Sequence, residues 1–366
     1  MTIGVLKEPG FETRVSLLAE SIPALIKKGI TVLVESKAGE RAFCSDSEYE
    51  KAGARIVAQS EVSSADIILS IHPPQSLQSG KQAILIGVYQ PLYNADQVSN
   101  FQKNNFTVFS LDMLPRTTRA QSMDVLSSQA NIAGYKAVVL AADTYPKYFP
   151  MFMTAAGSIA PAKVLILGAG VAGLQAIATA KRLGAVIEVF DTRPAVKEEV
   201  MSLGAKFIEV EGAADASKAG GYAVEQSEDF KQRQQARIAE AIAKADIVIT
   251  TAQIPGKKAP ILITNSMLDK MKNGSVVIDL AAATGGNTEA TKNNEMTRYN
   301  GVSIIGNSNL PATMPYDASK LYGKNVLNFL QLIIDKEGKL NLNWEDDLVK
   351  GSCITHGGEV MNERLK

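Results

Sequence analysis

The chain has 366 residues, 46% of them hydrophobic, with 38 lysines and arginines balancing 38 aspartates and glutamates. That length exceeds one comfortable core and implies two or three domains. The balanced charge excludes a global field that would draw the protein to nucleic acid or to an anionic membrane. Cys44 and Cys353 are isolated thiols, and His72 and His356 are the only histidines, so neither a metal-ligand spacing nor a histidine triad is present. Buried cysteines in a reducing compartment are expected. The opening MTIGVLKEPG lacks a signal pattern, and no run reaches the roughly 20 apolar residues of a membrane span. A cytoplasmic protein without direct membrane insertion is expected, any span being supplied by another chain.

Short β-rich runs at Ile3–Leu6, Thr31–Val34, Asp66–Ile71, Ala83–Val88 and Thr107–Leu111 alternate with helical patterns such as Leu17–Lys28. This alternation predicts a parallel sheet covered on both faces. From Arg119 to Ala142 the Ala, Leu, Gln and Met content predicts one long helix linking two domains, interrupted only by Gly134. Strands are then expected at Val164–Leu167, Val186–Phe190, Lys206–Glu209, Asp246–Thr250, Ser275–Asp279 and Val302–Ile305, with a helix over Tyr316–Asp335. The fold class is therefore α/β: two Rossmann-like domains with doubly wound parallel sheets joined by long helices. One domain comprises 1–125 plus 315–366, and the other 126–314.

The most specific pattern is VLILGAGVAGLQ, followed by the strand ending at Asp191. Gly168 permits a tight turn, Gly170 lets backbone approach a pyrophosphate, and Gly173 allows close helix–strand packing. The helix N-terminus supplies free N–H donors. Asp191 lies about 20 residues on, the spacing of a carboxylate that binds ribose hydroxyls, and favours NAD(H) because a ribose phosphate would meet a negative charge. Arg193 is close enough to blur that preference, although a solvated surface arginine is the plainer reading. The segment of about 211–234, rich in small and charged residues, reads either as a mobile lid or as an exposed insertion.

The segment PRTTRAQSMDVLSSQANIAGYKA, with the glycine fingerprint, the GGYA stretch, the opening GVLKEPGFETRVSL and the late SNLPATMPYDASKLYGKN, resembles the NAD(H)-binding domain I of proton-translocating nicotinamide nucleotide transhydrogenase. The resemblance runs over essentially the whole chain and matches the separate soluble subunit of the bacterial three-subunit form. It implies that Arg116, Gln121 and Asp124 lie beside the nicotinamide, with Gln121 bridging toward an NADP(H)-binding component. It places further cofactor contacts on Thr117, Thr118 and Ser127, on Gly168, Gly170, Val171 and Gly173, and on Asp191, Thr192 and Arg193. Gly221, Tyr222, Gln234 and Gln253 complete the set, Tyr222 being the tyrosine of the mobile loop. Gln253 departs from the family, which usually carries leucine there. The implied partners are membrane-spanning subunits that hold NADP(H) and translocate protons, together with a second copy of this chain, its contact expected on the Ala-rich linker helix. The location implied is peripheral to the inner membrane, on the cytoplasmic side.

Alanine dehydrogenase shares the two-domain pattern and is the rival enzyme. Its lysine, histidine and aspartate are replaced here by SIHPP, by Tyr89 and Gln90 in GVYQPL, and by Ala283 in IDLAAATGGN. Hydride exchange between two nicotinamides needs no substrate proton, so such a loss is coherent with transhydrogenation. An NAD-sensing module without chemistry is the non-enzymatic alternative.

Overall fold

The computed structural model describes residues 1–75, 83–210, 212 and 227–366. The chain forms two compact units, Met1–Gln129 with Ala312–Lys366, and Ala130–Pro311. In the first, β1 (Thr2–Val5), β2 (Thr31–Glu35), β3 (Arg55–Val57), β4 (Ile67–Leu69), β5 (Ile84–Gly87) and β6 (Thr107–Ser110) run parallel in the order β3-β2-β1-β4-β5-β6. The strand order reverses between β1 and β4, as in a doubly wound sheet. Alternate residues face opposite sides, so Val32, Val34, Ile67, Leu69 and Ile86 enter one core while Leu33, Ile68 and Leu85 enter another with Phe101. Burial on both faces is why these strands read as apolar runs rather than alternating patterns.

Two predicted helices need correction. The Leu17–Lys28 pattern condenses to a 3-10 turn, Ala19–Ser21, and a helix, Ile22–Ile26, with Pro23 fixing its first turn. The long helix expected from Arg119 begins instead at Val125 and runs to Thr144, preceded by a 3-10 turn over Thr118–Met123. Asp124 interrupts it with an extended ψ of 90°. Its carboxylate accepts the Ser127 N–H at 2.9 Å and the Ser127 hydroxyl at 2.5 Å, the bonding of a helix N-cap.

In the second unit an exposed antiparallel hairpin, β7 (Phe152–Thr154) and β8 (Gly157–Ile159), precedes the main sheet. Its main sheet contains β9 (Lys163–Leu167), β10 (Val186–Phe190), β11 (Lys206–Phe207), β12 (Ile247–Thr250), β13 (Val276–Asp279), β14 (Met296–Tyr299) and β15 (Val302–Ile305). The order is β11-β10-β9-β12-β13-β15-β14, parallel throughout except for β14 at the edge. Small residues Ala137, Ala141, Ala176 and Ala180 let helices lie close on Val164, Ile166, Ile249 and Ile278. The opposite face is covered by Phe230, Ile238 and Ile242 of the Glu228–Ile242 helix. That helix takes over the end of the predicted loop: Ser227 accepts the Phe230 N–H at 3.2 Å, and Glu228 and Asp229 favour its positive first turn.

The chain returns to the first unit through the Pro315–Ile333 helix, which buries Tyr322, Val326, Phe329 and Ile333 in its core. β16 (Cys353–His356) then pairs antiparallel with β6, and β17 (Glu359–Val360) with β16.

Candidate functional site

The switch point of the second sheet lies between β9 and β12, whose carboxyl ends define the place where an open α/β sheet binds its ligand. Gly168 leaves β9 with φ of +106°, and its N–H donates to the Phe190 carbonyl at 2.8 Å. A Cβ at Gly168 would lie 2.3 Å from Thr251 Oγ1, and one at Gly173 would lie 1.9 Å from the Gly168 carbonyl oxygen. Both positions therefore exclude a side chain for packing reasons. Gly170 differs: nothing lies within 4 Å of its Cβ position, and it is the extended N-cap of the Val171–Arg182 helix. Val171 is exposed at the first helical position. Open space beside a glycine, with the unsatisfied donors of a helix N-terminus, fits a pyrophosphate.

Asp191 stands just beyond β10, beside this turn. Its Oδ2 accepts the Ala169 N–H at 2.7 Å and Arg193 Nη2 at 2.7 Å; its Oδ1 accepts Arg193 N at 2.8 Å and Nε at 2.9 Å. Arg193 is thus not the solvated surface arginine expected. The pair is well buried, with side-chain exposures of 18% for Arg193 and 6% for Asp191. The carboxylate's hydrogen bond raises the arginine's pKa against the effect of burial. A carboxylate offers about four lone-pair sites, and all four face donors here. Thr192, half-buried, lies between them.

The loop after β12 forms the other wall. Thr251 Oγ1 donates to the Gly168 carbonyl at 3.1 Å, and Gln253 Nε2 donates to the Leu280 carbonyl at 2.9 Å. Asn287 holds the peptide between them, accepting the Ala252 N–H at 3.1 Å and donating to the Ala252 carbonyl at 2.9 Å. Asn287 is fully buried, and its own N–H is fixed by Asp279 Oδ2 at 2.6 Å. Thr251, Asp279 and Asn287 were not singled out from sequence; the repeated threonine of TTAQIPG and the asparagine of ATGGN were the available signals. Gln234 is buried within the Glu228–Ile242 helix. Gly221 and Tyr222 lie outside the described residues.

The remaining predicted residues belong to the first unit. Arg116, Thr117 and Thr118 lie ahead of and at the start of the 3-10 turn, Gln121 is exposed on it, and Asp124 and Ser127 pair with each other at the helix cap. Arg119 binds Asp346 at 2.7 and 2.6 Å and also contacts Asp347, which anchors the turn at its solvent side.

A second polar cluster occupies the carboxyl edge of the first sheet. Glu8 accepts the N–H groups of Ile71 and His72 at 2.5 and 3.1 Å; burial outweighs these bonds and pushes its pKa up to about 7. Glu12 is also buried, but hydrogen bonds from Arg14 and His72 overcome the burial and hold it down at about 2. Arg14, which could have held a substrate carboxylate, grips Glu12 at 2.8 and 2.7 Å and Gln129 at 2.7 Å. Among the described residues there is no group of three metal-binding side chains, and no helix is long and apolar enough to cross a membrane.

Comparison with known proteins agrees with this architecture. Residues 4–133 match the alanine dehydrogenase/PNT N-terminal domain, and residues 137–363 match the C-terminal domain of the same family. The chain is 45% identical over 99% of its length to an NAD(P) transhydrogenase alpha subunit of Rickettsia prowazekii, 96% of which is covered. The crystal structure of transhydrogenase from Sinorhizobium meliloti matches with a TM-score of 0.89 at 46% identity, covering 98% of this chain and 100% of that one. An alanine dehydrogenase of Staphylococcus saprophyticus is 26% identical over 99% of this chain and 95% of its own. The two family models together span nearly the whole chain, and the chain belongs to the alanine dehydrogenase/PNT family.

Proposed function

We propose that this chain is the NAD(H)-binding component of a proton-translocating nicotinamide nucleotide transhydrogenase. The observation that carries the reading is the composition of the switch-point site. Backbone donors and the open face of Gly170 line it. Asp191 stands beside the turn with all its lone pairs engaged, and Asp279 is fully buried behind Asn287. The bound nicotinamide supplies hydride donation and acceptance at its C4 carbon. The protein's part is then positioning and exclusion of water rather than proton transfer.

In this reading the backbone donors of the turn between Gly168 and Val171 would hold the pyrophosphate, and the Asp191 carboxylate would accept hydroxyls of the adenosine ribose. Thr192, Gln234 and Gln253 complete the nucleotide site in the second unit. Arg116 with Thr117 and Thr118, Gln121, and the Asp124–Ser127 pair address the nicotinamide end. Gly221 and Tyr222 are assigned to further contacts with the bound nucleotide. NADP(H) is held by a partner subunit, proton translocation belongs to membrane-spanning subunits, and this chain works on the cytoplasmic side, peripheral to the inner membrane.

The active form is a homodimer. The exposed apolar group Tyr148, Met151, Phe152, Met153 and Ile159, in which Tyr148 stacks on Phe152 at 5.1 Å, offers a contact for the second copy alongside the linker helix. Sedimentation at micromolar concentration yielding only monomer would remove that assignment.

The functional test is hydride transfer from NADPH to an NAD analogue, with the purified chain alone and mixed with an NADP(H)-binding transhydrogenase component. Transfer confined to the mixture is expected. Pyruvate- and ammonium-dependent NADH oxidation by the chain alone would establish an amino-acid dehydrogenase, and nucleotide binding without transfer in the mixture would establish a sensor.

A further inference from the structure

The late motif SNLPATMPYDASKLYGKN ends at Asn325, within the Pro315–Ile333 helix, and the proposed chemistry leaves its last residue without a role. That helix packs against the 3-10 turn Thr118–Met123, which carries Gln121. Asn325 and Asn328 are three residues apart and share a helix face. Each places its Nδ2 2.9 Å from the carbonyl oxygen of Ser122. Asn325 Oδ1 also accepts the Ser128 hydroxyl at 2.7 Å. One nearly buried amide therefore bridges the residues on either side of the Asp124–Ser127 cap.

The turn is a six-residue 3-10 segment. At its two ends Ala120 N donates to the Thr117 carbonyl at 3.0 Å and Asp124 N to the Gln121 carbonyl at 3.4 Å. Two neutral donors on a single carbonyl saturate its lone pairs and fix the plane of the Ser122–Met123 peptide. That plane sets where Gln121, exposed on one side, and Asp124, on the other, are aimed. Gln129 adds a further tie through Nε2 to the Ala318 carbonyl at 3.0 Å.

We propose that Asn325 and Asn328 are positioning residues for hydride transfer: they clamp the Ser122 carbonyl and thereby orient Gln121 and Asp124, without touching the cofactor. The assignment rests on the transhydrogenase reading above. Asn328 is the better probe because it is only half-buried. N328D keeps the side chain's shape but turns a donor into a charged acceptor facing a carbonyl.

The experiment compares wild type and N328D in the mixture with an NADP(H)-binding component, measuring hydride-transfer rate, NADH affinity and thermal midpoint between about pH 4 and 8, a window that reaches the ordinary aspartate range. Expected is a rate reduced by about tenfold or more at the upper end, the scale of a small misplacement of reacting groups, with NADH affinity and thermal midpoint unchanged. As the pH falls, protonation of the introduced carboxyl restores an O–H donor to Ser122, and the ratio of variant to wild-type rate rises. A ratio near one at every pH overturns the proposal. So does a rate loss that tracks lost affinity and lost stability, because that is a structural role only. Absence of transfer by wild type in the mixture overturns the transhydrogenase reading, and this assignment with it.

Discussion

Asp191 holds four donors at once, three of them from Arg193, and this changes what its charge can do. A bare carboxylate at the end of β10 would repel a ribose phosphate; one neutralised by a two-pronged guanidinium repels it much less. Removing the arginine by R193A therefore exposes the carboxylate's charge and sharpens selection of NADH over NADPH. A change in the affinity ratio of up to about fivefold is expected, the equivalent of roughly 1 kcal/mol for a partly screened charge. Titration of both nucleotides against wild type and R193A measures it, and a ratio that falls would assign nucleotide choice to Arg193 itself. The position of Asp191 was legible from its spacing behind the glycines. The Arg193 pairing was open in the sequence, because an arginine two residues away can turn outward as readily as inward. Asn287 left no more signal than the asparagine of ATGGN, and no role for Asn325 or Asn328 was legible: an amide that binds a distant backbone carbonyl leaves no periodicity.

The helices illustrate where local pattern and tertiary structure part company. Gly134 reads in the sequence as a tolerated interruption of an Ala-rich helix, yet a Cβ there would lie 2.1 Å from the carbonyl oxygen of Ala172. The Val125–Thr144 helix thus touches the first turn of the Val171–Arg182 helix backbone to backbone, beside the phosphate cradle. G134A must push that turn away. It is expected to lower stability by about 1–3 kcal/mol, the usual cost of overpacking, and to weaken NADH binding. Thermal unfolding and NADH titration of the same variant check both, and an unshifted midpoint would show that the helix pair yields without strain. The break at Asp124 escapes a reading of the sequence because aspartate serves equally as an exposed helix acid and as a cap. β14, β16 and β17 were missed for a different reason. They lie at or toward sheet edges, and β14, MTRY, carries no apolar run of the kind that doubly buried strands impose.

At the scale of the whole molecule, both units repeat one architecture, six parallel strands in the same doubly wound order, but among the described residues only the second carries a glycine cradle at its switch point. In the first unit the corresponding edge is filled by Glu8, Glu12, Arg14 and His72, which bind one another and the local backbone. In the proposed reading the second unit would hold the dinucleotide, and the first carries the tethered turn with Gln121. In the proposed transhydrogenation, hydride passes directly between two nicotinamides, with no proton exchanged on the way. Its most direct test uses NADPH deuterated at the transferred position of C4, an NAD analogue, this chain and an NADP(H)-binding component. The label is expected quantitatively on C4 of the reduced analogue, with none lost to water. Washout of deuterium into solvent, or reduction of the analogue without label, would contradict it.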